Sequence, residues 1–142
     1  MAVVTDIAAA VVAELNAATF SQPVTAERSY FPQFDLPEMK TLHVTVVPKE
    51  VASGVSDRSR KQGEYSVDIA VQKKLSSDDN ADIDPLVALV EEIADHFHAR
   101  RLAAYPNAVW LKTEQIVLYA PDHMADLRQF TSVLTLTYRV VR

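Results

Sequence analysis

The sequence predicts an α+β fold: a mostly antiparallel β-sheet with two α-helices packed on one face, in the order α-β-β-β-α-β-β. Three observations carry this. Four segments alternate apolar and polar residues with a period of two, the pattern of a sheet with one face on a core. Two others repeat apolar residues at helical spacing. The 142 residues suit one domain spanning 1–142, long enough to bury about 68–70% of its unfolded surface.

The first helix is expected over 6–18, where Ile7, Val11, Val12 and Leu15 form one apolar stripe. Thr5 or Asp6 is placed to cap it, Asp6 suits the positive end of its dipole, and Pro23 follows its end. A short strand is expected over 24–30. In 40–47, Leu42, Val44 and Val46 share a face opposite Thr41, His43 and Thr45. In 64–74, Tyr65, Val67, Ile69 and Val71 oppose Ser66, Asp68, Ala70 and Gln72. The second helix has the strongest signal: Asp84 as N-cap, Pro85 at the first helical position, and a stripe of Leu86, Leu89, Val90, Ile93 and Phe97. Arg100 and Arg101 complement its negative end. A noisier strand spans 110–119. The last spans 129–141, with Phe130, Leu134, Leu136, Tyr138 and Val140 opposite Thr131, Thr135, Thr137 and Arg139.

Composition removes several classes of chemistry. There is no cysteine, hence no thiol nucleophile, Cys-ligated zinc or disulfide framework. The two glycines, Gly54 and Gly63, cannot build a phosphate cradle or a dinucleotide fingerprint. A net charge of −5 argues against a dedicated nucleic-acid binder. No run of about 18 apolar residues offers a membrane span. The apolar N-terminus lacks the basic region of a signal peptide and carries Asp6 and Glu14, which predicts a soluble intracellular product.

Possible sites weigh lightly. His96 and His98 are two apart and diverge on a helix, so they do not form a metal pair. Asp78, Asp79, Asp82 and Asp84 lack the spacing of a calcium loop and read as helix capping and a solvated turn. No nucleophile elbow is present, and Asp122 with His123 reads as turn chemistry. The expectation is a protein that is not an enzyme, with no cofactor and no metal. The helix–three strands–helix order also occurs in double-stranded-RNA-binding domains, but acids at the start of the second helix would repel phosphate there.

Two segments point to assembly. Residues 31–38 (FPQFDLPE) hold Phe31, Phe34 and Leu36 in a stiff arm whose apolar side chains need burial. Residues 48–63 (PKEVASGVSDRSRKQG) read as a long inter-strand loop, beyond the usual hairpin length of 2–5 residues. It brings Val51 and Val55 together with Arg58, Arg60 and Lys61, three cations in four positions, and reads either as a mobile surface hairpin or as a docking arm that orders against a partner subunit. These eight residues form the candidate subunit or partner interface.

The runs VTAERSYFPQFDL (24–36), LHVTVVPK (42–49) and YSVDIAVQKKL (65–75) resemble small neck and tail proteins of long-tailed bacteriophages. LVALVEEIAD (86–95) and FTSVLTLTY (130–138) continue the likeness, which is nearest to the tail terminator (tail-to-head joining or tail completion) family. The resemblance implies a virion structural protein, assembled in the host cytoplasm into a ring that is typically hexameric. Such a ring caps the tail tube, meets the head-side connector and lets DNA pass without specific binding; no membrane is involved. A head-closure or adaptor protein is the neighbouring alternative. A ligand-binding domain using His43, Tyr65 and Trp110 is the alternative from another class.

Overall fold

The computed structural model describes residues 2–30, 41–55, 57–75, 80–117 and 129–142. Its elements are helix α1 (Val3–Ala17), strands β1 (Ala26–Arg28), β2 (His43–Val55) and β3 (Lys61–Lys74), helix α2 (Asn80–Phe97), and strands β4 (Val109–Val117) and β5 (Gln129–Val141). This is the predicted α-β-β-β-α-β-β order. The five strands form one sheet in the order β1-β2-β3-β5-β4. All neighbours are antiparallel except β1, which runs parallel to β2 over Ala26–Arg28. Parallel neighbours need a long connection rather than a tight turn, and residues 29–42 supply it.

Both helices bury their apolar stripes on one face of the sheet. Ile7, Val11 and Leu15 of α1 and Leu89, Ile93 and Phe97 of α2 join a single core with Val44, Val46, Val67, Ile69, Leu134 and Leu136. Glu14 ties the helical layer together. One carboxylate oxygen meets His96 Nε2 of α2 at 3.2 Å, and the other accepts the backbone N–H of Ala103 at 3.1 Å. Asn16 holds β1 in place as a strand neighbour would. Its carbonyl accepts the N–H of Ala26 at 2.8 Å, and its amide donates to the Ala26 carbonyl at 3.3 Å.

Both helix starts differ from expectation. Helix α1 begins at Val3, and its N-cap is Ala2 without a side-chain cap bond. Thr5, expected as a cap, lies inside and donates from Oγ1 to the Ala2 carbonyl at 2.8 Å. Helix α2 begins at Asn80, so Asp84 is not its N-cap and Pro85 is interior. Pro85 is the sixth residue, past the first four N–H groups that lack intrahelical partners, so it removes one i→i−4 bond, a loss the helix carries while burying Leu86, Leu89, Val90 and Ile93. Asp82 in the first turn complements the dipole.

The second sheet face also departs from the sequence reading, which left it wet. Thr45, Gln72, Thr131, Thr135 and Thr137 are all buried. Internal hydrogen bonds make that tolerable for two of them: Thr135 Oγ1 donates to Asp68 at 2.6 Å, and Ser66 and Thr137 share a bond of 3.2 Å, whereas Thr45 Oγ1 and Gln72 Oε1 have no hydrogen-bond partner among the described residues. Residues 48–63 are not a loop. β2 continues to Val55 and β3 starts at Lys61, so strand pairing fills most of the segment. The connection that remains is short, and the length taken for a loop is ladder.

Two positions carry strain that can be relieved. Ala99, just past α2, has φ of +53°, a left-handed cap position usually given to glycine. Ala99→Gly is expected to stabilise the fold by about 0.5–1 kcal/mol, read as a higher denaturant midpoint at constant slope. Tyr138 is fully buried and its hydroxyl has no hydrogen-bond partner among the described residues. Burial, with the Glu14 charge adding to it, pushes the phenol well above its usual pKa. Tyr138→Phe removes the orphaned group and is expected to gain about 1 kcal/mol, seen in calorimetry as a rise in Tm.

Candidate assembly interface

The β2–β3 hairpin changes character midway. From Val44 to Val46, β2 lies between β1 and β3. A register shift between Pro48 and Glu50 then inserts Lys49 as an extra residue, a β-bulge. Before it, Val44 and Val46 share the helix-side face with Val71 and Ile69; after it, Val51 pairs with Tyr65 and Val55 with Lys61. The side-chain parity of β2 therefore reverses, and Val51 and Val55 continue the face that the helices cover further back. Here the face is uncovered: every described β2 residue from Lys49 on is exposed, Val51 at 50% and Val55 at 87%. At about 3.3 Å per residue, Glu50–Val55 makes an arm roughly 17–20 Å long.

The arm is braced. β5 pairs with β3 out to Gln62–Val141. Beyond it, Arg142 and Lys61 exchange two backbone hydrogen bonds of 2.7 and 3.0 Å. At the root, Tyr65, Tyr138 and Trp110 form a cross-strand row over β3, β5 and β4. The Tyr65 ring folds back over Gly63, where an added Cβ would lie 2.5 Å from it. Only glycine leaves room for that ring, so Gly63 is a packing position within a strand rather than a loop residue. Trp110 is fixed in turn by its indole N–H, which donates to Thr113 Oγ1 at 3.0 Å, and by His98 against its ring.

The tip is an ordered turn centred on Asp57. Its Oδ1 accepts the backbone N–H groups of Ser59 and Arg60, both at 2.8 Å, and the Ser59 hydroxyl at 3.1 Å. Such an Asx-type turn replaces the backbone partners that the chain reversal leaves open. Around it stand Arg58, Arg60, Lys61 and Arg142, which with Val55 and Ser59 line an open concavity of about 770 Å³. Four of the chain's 14 cations thus gather beside one of its 19 acids. Among the described residues, the outer edge of β2 past Val46 has no strand beside it. Pro48, Lys49 and Glu50 guard its root, as charge and proline do on edge strands, but Val51–Val55 (VASGV) carries neither.

The structure brings five of the eight predicted interface residues onto this arm: Val51 and Val55 on its apolar face, Arg58, Arg60 and Lys61 at its tip. Phe31, Phe34 and Leu36 lie outside the described residues, as do Asp78, Asp79, Asp122 and His123. Arg142 was missed, because only the β3–β5 register places it beside Lys61. The set His43, Tyr65 and Trp110 does not converge. Tyr65 and Trp110 face the helices, whereas His43 lies on the other sheet face, paired with Gln72. Among the described residues no three His, Asp or Glu side chains are grouped as metal ligands, and no described helix is long and apolar enough to cross a membrane.

No protein-family model matches the sequence, and no curated protein matches it. Among solved structures, the chain is similar to the sheath/tube terminator of PVC, an extracellular contractile injection system, in its extended state. The identity is 17% and the alignment covers all of this chain but 57% of that one. This chain thus spans a little over half the length of that neighbour. A TM-score of 0.41 is too low for the likeness to bear on fold or role.

The tip turn has a pH signature. Asp57's carboxyl sits below its usual pKa because the Ser59 N–H, above all, and then the Arg60 N–H and the Ser59 hydroxyl bind its charged form. A lowered folded-state pKa gives stabilisation that is present above the unfolded value of 3.8 and lost as pH falls through the folded value. Amide exchange followed by NMR should show Ser59 and Arg60 protected at neutral pH. Protection should fall at those two amides on acidification below the ordinary carboxylate range, and at neutral pH in Asp57→Ala.

Proposed function

We propose that this chain is a structural subunit of a phage-like tail: a tail terminator that closes on copies of itself into a ring. That ring caps the tail tube and meets the head-side connector. The carrying observation is the braced arm, an ordered three-stranded projection that shields little of its own core yet presents valines, an unguarded strand edge and a cationic tip. A catalytic protein does not need such a projection; an assembling one does, because a heterologous ring contact requires two complementary surfaces on each subunit. The resemblance of 24–36, 42–49 and 65–75 to tail terminators supports the same reading and supplies the expected hexameric closure. Phe31, Phe34 and Leu36 are assigned to the same contact as Val51 and Val55.

The register defines a clean excision. Ala52 pairs with Glu64, so residues 53–63 can be replaced by an Asn-Gly turn that rejoins the strands. The shortened chain is expected to keep its far-UV circular dichroism and cooperative melt while its self-association weakens by about tenfold or more. Sedimentation velocity over a concentration series reads both states. Association unchanged by the excision would assign the contact elsewhere.

A further inference from the structure

We infer that the cationic tip of the arm docks on the exposed acidic stripe of α2 in a second copy of this chain. The inference rests on the self-assembly reading above and names the surface that receives the arm. The tip carries the argument. Arg58, Arg60, Lys61 and Arg142 surround a turn that Asp57 holds in one conformation, so their backbone positions are fixed before any partner arrives. Among the described ion pairs only Arg60 has a carboxylate partner, Asp57 of the same turn at 3.7 Å. A preorganised cluster with unspent charge calls for an anionic surface.

The chain contains one. Asp84, Glu91 and Asp95 are exposed on α2, with Ala88 between them at the same helical angle, and no ion pair with a described residue engages them. They follow the spacing i, i+4, i+7, i+11, one stripe about 16 Å long at 1.5 Å per residue. The small Ala88 leaves its middle open to an approaching side chain. On the inner side of α2, Glu92 is already taken by Ser21, so the outward acids are the ones left to bind.

Nucleic acid is the other polyanion that such a tip could meet, and the observations favour protein. The tip is flanked by exposed Val51 and Val55, which phosphate cannot use. The charge elsewhere on the chain is strongly acidic, which repels a strand lying along it. Tip and stripe on one chain also meet the two-surface requirement of a repeating contact.

Charge reversal tests the pairing in the full chain. All the altered side chains are exposed, and a thermal melt of each variant is the control for folding. R58E/R60E/K61E and D84K/E91K/D95K should each weaken self-association by about tenfold or more. A chain carrying both sets restores opposite charges across the contact and should return to within about threefold of wild type. Wild-type association should fall as NaCl rises from 50 to 500 mM. Association that neither reversal alters overturns this contact while the ring reading stands. Single reversals that weaken association without recovery in the combined variant also overturn the pairing. A wild-type chain that stays monomeric at every concentration overturns the ring reading and the contact together. Binding of a fluorescent 20-base-pair duplex that R58E/R60E/K61E abolishes, with association unchanged, assigns the tip to nucleic acid and overturns the inference.

Discussion

One extra residue sets the character of this molecule. Without the bulge at Lys49, the alternation of β2 would carry Val51 and Val55 to the polar face of the sheet and turn Glu50 and Ala52 toward the helical side. With it, the apolar face continues past the end of the helical layer into solvent. Lys49 itself is drawn to Asp68 at 3.7 Å, a partly exposed pair that adds little energy but holds the bulge's side chain on the polar face. A single insertion thus separates a core sheet from an exposed arm in the same two strands, with no break in the ladder.

What keeps such an arm ordered is local. Two strands alone are marginal in water, and a third with a fixed root changes that. β5 supplies the third strand to its end, and the row Tyr65, Tyr138 and Trp110 supplies the root. Tyr65 over Gly63 joins the two, because the ring that belongs to the core on one side covers the backbone of the arm on the other. The Asp57 turn closes the far end. None of these contacts needs a partner, so the valines and cations are displayed on the single chain. Preorganisation of this kind lowers the ordering cost of association.

The sequence made the element types and their order legible because apolar periodicity is a property of residues that face a core. It lost the arm for the same reason. Across 49–61 every described residue is exposed, so selection for alternation is weak, and Gly, Ser and charged residues, following Pro48, mimic a loop. A faint period of two is present in Val51, Ser53 and Val55 and in Lys61, Gly63 and Tyr65, but the bulge shifts its phase against the Val44 and Val46 series. The start of α2 lies five residues before Pro85, whose preference for a first turn is overridden because the helix extends back to Asn80 and forgoes one hydrogen bond at the proline. The cation cluster was half visible. Arg58, Arg60 and Lys61 are neighbours in sequence, whereas Arg142 joins them only through pairing in register across a strand.

Charge then links the arm to the rest of the chain. A net −5 spread evenly would make copies repel one another and would leave the valines of the arm too small an apolar patch to overcome it. Segregation changes the sign of that effect. With cations collected on a projecting tip and acids left along a helix, the same composition attracts in one relative orientation and repels in others. In the proposed contact, like-charge repulsion elsewhere suppresses wrong pairings and the tip–stripe attraction selects the right one. The apolar face then contributes affinity only after the charges have set the register. In the proposed contact the acidity of the chain serves assembly specificity, and the bulge at Lys49 matters there because it delivers valines and cations to the same end of one rigid arm.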